Sequence, residues 1–100
     1  MKRETNMKTI YEGKRYDSDN CATLAERDHY TVNSNNYSGT TYVLRASDGQ
    51  LLIYIDSNGQ DCWLTNEFFV PDGAIDFAGY KMDDKQAARC VELGLLVDVE

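Results

Sequence analysis

The sequence predicts an α+β fold, a small antiparallel sheet with one C-terminal helix packed on it. The best evidence for the sheet is TTYVLRASDGQLLIYIDSNG, where two β-rich runs flank Asp48-Gly49, a dipeptide favoured in hairpin turns. The best evidence for the helix is DDKQAARCVELG, which combines a capping residue, an apolar face and a final glycine. A chain of 100 residues is long enough for one modest core.

Composition sets the class of protein. Hydrophobic residues make up 42% and charged residues 27% of the chain, as in folded globular proteins. We expect residues 1–7 to form a flexible tail and residues 8–100 a single α+β domain. The apolar runs fall short of the roughly 18 residues that cross a bilayer, and the start lacks a signal peptide's apolar region. Three widely spaced cysteines are no disulfide framework, so a cytoplasmic protein with reduced thiols is predicted.

The N-terminal part predicts one more hairpin. KTIYEGKRYD indicates strands at residues 9–11 and 14–16 around a turn at Glu12-Gly13. The next segment, SDNCATLAERDHY, stays open between helix and strand, because its alanines favour a helix whereas Thr23 and its short length permit a strand. TVNSNNYSGTT is rich in Asn, Ser and Gly and is predicted to be a loop.

The central hairpin is predicted to pair residues 41–46 with residues 51–55 around Asp48-Gly49, two residues that tolerate positive φ. In the second strand one face carries Leu51, Ile53 and Ile55, and the other carries Leu52, Tyr54 and Asp56. A further short strand is expected at residues 62–64. NEFFVPDGAIDFAGY is expected to be a loop that anchors in the core through Phe68, Phe69, Val70 and Ile75.

The C-terminal helix is predicted from about residue 83 to residue 93. Asp83 and Gln86 have the spacing of a capping box, and Gly94 stands where a left-handed C-terminal cap belongs. Ala87, Ala88 and Val91 share one helical face, with Cys90 beside them. The LLVDV that follows is compatible with a returning strand.

The charges are unevenly distributed. The net charge is −7, and between Ala46 and Tyr80 there is no Lys or Arg. Six acids lie in this base-free segment: Asp48, Asp56, Asp61, Glu67, Asp72 and Asp76. Such a surface repels nucleic acid and anionic membranes and attracts basic proteins. We therefore predict a basic protein partner, with these acids as interaction residues and an aromatic anchor such as Trp63 or Tyr54; a core position for Trp63 is equally compatible with the sequence.

Metal sites and catalysis find little support. DSNGQDCWLTNE has the length of an EF-hand loop, but Asp61 holds the sixth position, where that loop needs glycine, and its flanks resemble strands. Zinc ligands would have to come from widely spaced residues, none of them a close cysteine pair: Cys21, His29, Cys62 and Cys90. No nucleophile motif or P-loop is present, and a helix start explains Asp83-Asp84. We predict no enzyme, no cofactor and no metal.

The chain resembles a group of small acidic proteins of phages and mobile elements. YEGKRYDSDNCATLAERD is similar to their G-K-x-Y-D-T-x-T-A-like start, and a strand pair with a glycine turn and a late helix follow, over most of residues 8–94. The matching positions are Gly13, Lys14, Tyr16, Asp17 and Ala22. Ser18 and Cys21 stand where threonines are usual, and the glycine turn is Ser57-Asn58-Gly59 rather than a double glycine.

Some proteins of this style are anti-CRISPR proteins, which inhibit CRISPR–Cas effectors, often by occupying the basic groove meant for DNA. The resemblance implies a phage-type inhibitor in the cytoplasm of an infected bacterial host, a DNA mimic that binds a CRISPR–Cas effector subunit without catalytic residues. Two alternatives stay open: a structural or assembly domain with a solvated acidic face, and a small metal-binding protein.

Overall fold

The computed structural model describes residues 7–30, 36–57 and 65–99. Its elements are β1 (Lys8–Tyr11), β2 (Lys14–Asp17), β3 (Ala22–Tyr30), β4 (Tyr37–Arg45), β5 (Leu51–Ser57), β6 (Glu67–Phe69) and α1 (Asp84–Glu92). β1 and β2 form a two-stranded antiparallel sheet, and the other strands form a four-stranded antiparallel sheet in the order β3-β4-β5-β6. The predicted α+β class is confirmed.

The four-stranded sheet lies between two apolar cores. The core on the side of the β1–β2 hairpin, here the hairpin-side core, contains Tyr16, Tyr42, Leu44, Ala46, Leu52, Tyr54 and Phe68. The core on the other face, here the helix-side core, contains Leu24, Ala25, Val43, Ile53 and Cys90 of α1. Successive strand residues point to opposite faces, so a strand covered on both sides needs an almost continuous apolar run. This is why LLIYI in β5 is apolar at every position.

The two hairpins use different turns. At Glu12-Gly13 both residues have positive φ, +49° and +77°, as in the two-residue turn predicted there. Between β4 and β5 the amide of Gly49 donates to the carbonyl of Ala46 at 3.0 Å, and only Gly49 (φ +95°) is left-handed. The central hairpin is confirmed, and in its three-residue turn Gly49 alone adopts the positive φ that both Asp48 and Gly49 tolerate.

The segment left open between helix and strand forms β3, after a 3₁₀ turn at Ser18–Asn20. A register shift between Thr23 and Ala25 turns both Leu24 and Ala25 into the helix-side core. Met7, assigned by the sequence to the tail, makes two hydrogen bonds with Ser18: its amide donates to the Ser18 side-chain hydroxyl at 3.0 Å, and its carbonyl accepts from the Ser18 amide at 2.9 Å. Met7 therefore belongs with the folded domain.

Three loop or strand predictions are corrected. β4 begins at Tyr37, so residues 37–41, predicted to belong to a loop, form a strand instead. Residues 39–41 pair with both β3 and β5. Residues 67–69 form β6 instead of a loop, because they pair with β5. The strand expected in LLVDV is absent: Leu95 and Leu96 pack against the helix-side core, and the two valines that follow are exposed. The strand expected at residues 62–64 lies outside the described residues.

The anchors expected after β5 are partly confirmed. Phe68 is buried in the hairpin-side core, Val70 packs against it, and Ile75 packs against the helix-side core. Phe69 points the other way from Phe68 along β6 and is 37% exposed, so its predicted role in the core is wrong.

The helix agrees closely with its prediction. Asp83 is the N-cap, its carboxylate accepts a hydrogen bond from the Gln86 amide at 2.7 Å, and the Gln86 side chain accepts from the Asp83 amide at 3.0 Å. Gly94, with φ +77°, follows the C-cap Leu93. Cys90 is fully buried and connects α1 to the sheet through the helix-side core.

Candidate functional site

The acids of the base-free segment do not form one surface. Asp48 lies in the β4–β5 turn, whereas Asp56 pairs with Thr40 near the other end of the same strands. Glu67 pairs with Ile55, the neighbour of Asp56, so alternation along β5 places the two acids on opposite faces of the sheet. Asp72 and Asp76 are exposed in the loop after β6. Asp61 and Trp63 lie outside the described residues.

A groove brings the two distant parts of the segment together. It has a volume of about 620 Å³ and lies between the β4–β5 turn, the loop at residues 71–77 and residues 94–95. We call it the turn groove. The apolar residues among those that line it are Leu51, Pro71, Ala74, Ile75, Phe77 and Leu95. Lys14 and Asp48 also line it, whereas Asp72 and Asp76 are not lining residues but sequence neighbours of residues that are.

Asp48 is held by three hydrogen bonds. Its carboxylate accepts from the Tyr16 hydroxyl at 2.7 Å, from the Gln50 amide at 3.0 Å and from Lys14 Nζ at 3.4 Å. The Gln50 amide and then the Tyr16 hydroxyl lower the pKa of Asp48, because each stabilises the charged carboxylate. The same hydrogen bond raises the pKa of Tyr16 to about 12. Asp48 is therefore ionised at neutral pH and also ties the turn to the β1–β2 hairpin.

The 71–77 loop holds its shape through local contacts. Asp76 accepts a hydrogen bond from the Ala78 amide at 3.0 Å, and the Tyr80 amide donates to the Phe77 carbonyl at 3.0 Å. The rings of Phe77 and Tyr80 meet edge to face, with 6.3 Å between their centroids. These contacts fix the end of the loop that contains Phe77, one of the residues that line the turn groove.

The other acidic end of the sheet is built differently. Glu67 accepts from the Thr65 hydroxyl at 3.2 Å, and the Ser57 amide donates to the Asn66 side chain at 2.7 Å. Asp56 belongs to β5 and Glu67 to β6, so the ends of the EF-hand-like stretch are strands rather than the helices of that motif. Tyr54, considered as an anchor, is fully buried in the hairpin-side core, so that role is wrong.

Sequence reasoning missed a polar network at the edge of β3. Lys81 Nζ lies 2.8 Å from Asp28 Oδ2, and the Thr40 hydroxyl donates to Asp28 Oδ1 at 2.8 Å. The backbone of Lys81 also pairs with Glu26. Lys81 is the largest cause of the lowered pKa of Asp28. Because 53 residues separate this pair, no sequence pattern could have indicated it, and its role is to cover part of an edge strand.

The thiols and the histidine are dispersed over the molecule. Cys21 packs against the hairpin-side core, whereas Cys90 lies in the helix-side core, where burial raises the pKa of its thiol. His29 Nε2 lies 2.6 Å from the Thr41 hydroxyl, and burial lowers the pKa of the imidazole. Among the residues that the structure describes, no three His, Cys, Asp or Glu side chains converge as metal ligands. Cys62 lies outside those residues.

Comparison of the chain with protein-family models, curated proteins and solved structures finds no match. In the described ranges no helix is both long and apolar enough to cross a membrane. The fold is that of a small α+β domain with two apolar cores and a groove at one end of its main sheet.

Proposed function

We propose that this protein is a non-catalytic inhibitor that binds a basic protein partner. One observation carries the proposal: the segment from Ala46 to Tyr80 has no Lys or Arg, and Asp48, Glu67, Asp72 and Asp76 from it are exposed. An excess of exposed acids, even when they are spread over two ends of a sheet, speeds the approach of a positively charged protein and opposes nucleic acid.

Charge alone does not hold such a complex together. An exposed ion pair contributes only about 0–1 kcal/mol, so affinity needs apolar contact as well. The turn groove offers apolar surface beside Asp48, and its lining includes sequence neighbours of Asp72 and Asp76. Trp63 stays a proposed anchor. In this arrangement the acids set the association rate and the choice of partner, and the apolar contacts set the dissociation rate.

The most concrete partner is a subunit of a CRISPR–Cas effector in an infected bacterial host. The resemblance to small acidic phage proteins supports this choice, and so does the need of such effectors for a basic groove that holds nucleic acid. The inhibitor would act by steric occlusion, with its carboxylates in the place of phosphates and no direct contact to nucleic acid. No catalytic residue takes part.

The test is capture of partners from a bacterial lysate by the tagged full-length protein, identification by mass spectrometry, and surface-plasmon kinetics on the captured protein. We expect a basic partner that associates more slowly when salt rises from about 0.1 M to 0.5 M, because the electrostatic screening length becomes shorter over that range. The variant Asp56→Asn, Asp61→Asn, Glu67→Gln and the variant Asp72→Asn, Asp76→Asn probe the two acidic ends separately.

The matched control is Glu12→Gln with Asp19→Asn, which removes two exposed acids outside the base-free segment. Circular dichroism checks that every variant is folded. If both folded test variants bind and inhibit like the parent, acidic mimicry is wrong, and the protein is a structural domain with a solvated acidic face.

A further inference from the structure

We draw no further inference here: the strongest candidate, the apolar groove between α1 and residues 96–98 that exposes Val91 and Val97, carries no proposal because nothing in the structure shows what covers it.

Discussion

A hydrogen bond from the Tyr16 hydroxyl to the Asp48 carboxylate joins the small hairpin to the turn of the central one, beside the longer contact from Lys14. The donor–acceptor distance is 2.7 Å, and Tyr16 is only 7% exposed. The pKa of Tyr16 is raised to about 12 and the pKa of Asp48 is lowered, as expected when a neutral phenol donates to a charged carboxylate. This contact links Tyr16 of the hairpin-side core to Asp48, which lines the turn groove.

This contact predicts a pH dependence of stability. The fold favours the protonated phenol, so its contribution is complete below the unfolded pKa of about 10. That contribution is lost as the pH rises through the folded value of about 12. We expect the free energy of unfolding to fall more steeply with pH in this range for the parent than for Tyr16→Phe. Denaturant titrations of both proteins measure the difference, and equal slopes would contradict the assignment.

At the scale of elements, α1 shows how much a short local signal decides. Its capping box forms as the spacing of Asp83 and Gln86 predicts, and Gly94 ends the helix with a left-handed residue. Each of these contacts lies within one turn of the helix end, so it depends little on the rest of the fold. The apolar face then positions Cys90 in the helix-side core.

Loss of the cap should destabilise the protein by a modest amount. Asp83→Ala removes the acceptor of the Gln86 amide, and we expect the free energy of unfolding to fall by about 1 kcal/mol. Asp83→Asn keeps an acceptor oxygen and should lose much less, which makes it the matched control. Urea denaturation measures both. A midpoint that is the same for Asp83→Ala and the parent would show that the cap does not contribute.

For the whole molecule, the four-stranded sheet decides which side chains can meet. It separates the hairpin-side core from the helix-side core, and Cys21 packs against the first whereas Cys90 lies in the second. It also divides the acids, since Asp56 and Glu67 occupy opposite faces at one end and Asp48 lies at the other. A partner that contacts one acidic end need not contact the other.

The same arrangement argues against a bound metal. The cysteines in the described ranges are on opposite sides of the sheet, and the EF-hand-like stretch has Asp61 where a calcium loop needs glycine. We expect elemental analysis of the purified protein to find no stoichiometric calcium or zinc, and a chelator to leave Tm unchanged. Stoichiometric zinc whose removal lowers Tm would instead support a metal-binding protein.

The sequence by itself determined the elements whose signals are local. The turns at Glu12-Gly13 and Asp48-Gly49, the apolar run of β5 and the capped helix each depend on residues within a few positions of one another. Glycine tolerates positive φ and a carboxylate caps a helix wherever they stand in a chain. The excess of acids between Ala46 and Tyr80 was likewise visible without a structure.

Only the tertiary structure decided the elements that need a partner and the place of each acid. Ala22–Tyr30 and Tyr37–Arg45 are strands because they pair with each other. By themselves, the alanines of the first segment favour a helix, and the Asn, Ser and Gly around the start of the second favour a loop. The strand register sends Asp56 and Glu67 to opposite faces, and the return of the chain after β6 brings the loop of Asp72 and Asp76 to the turn of Asp48. Strand pairing and chain return join residues that are distant in sequence, so no local pattern can record them.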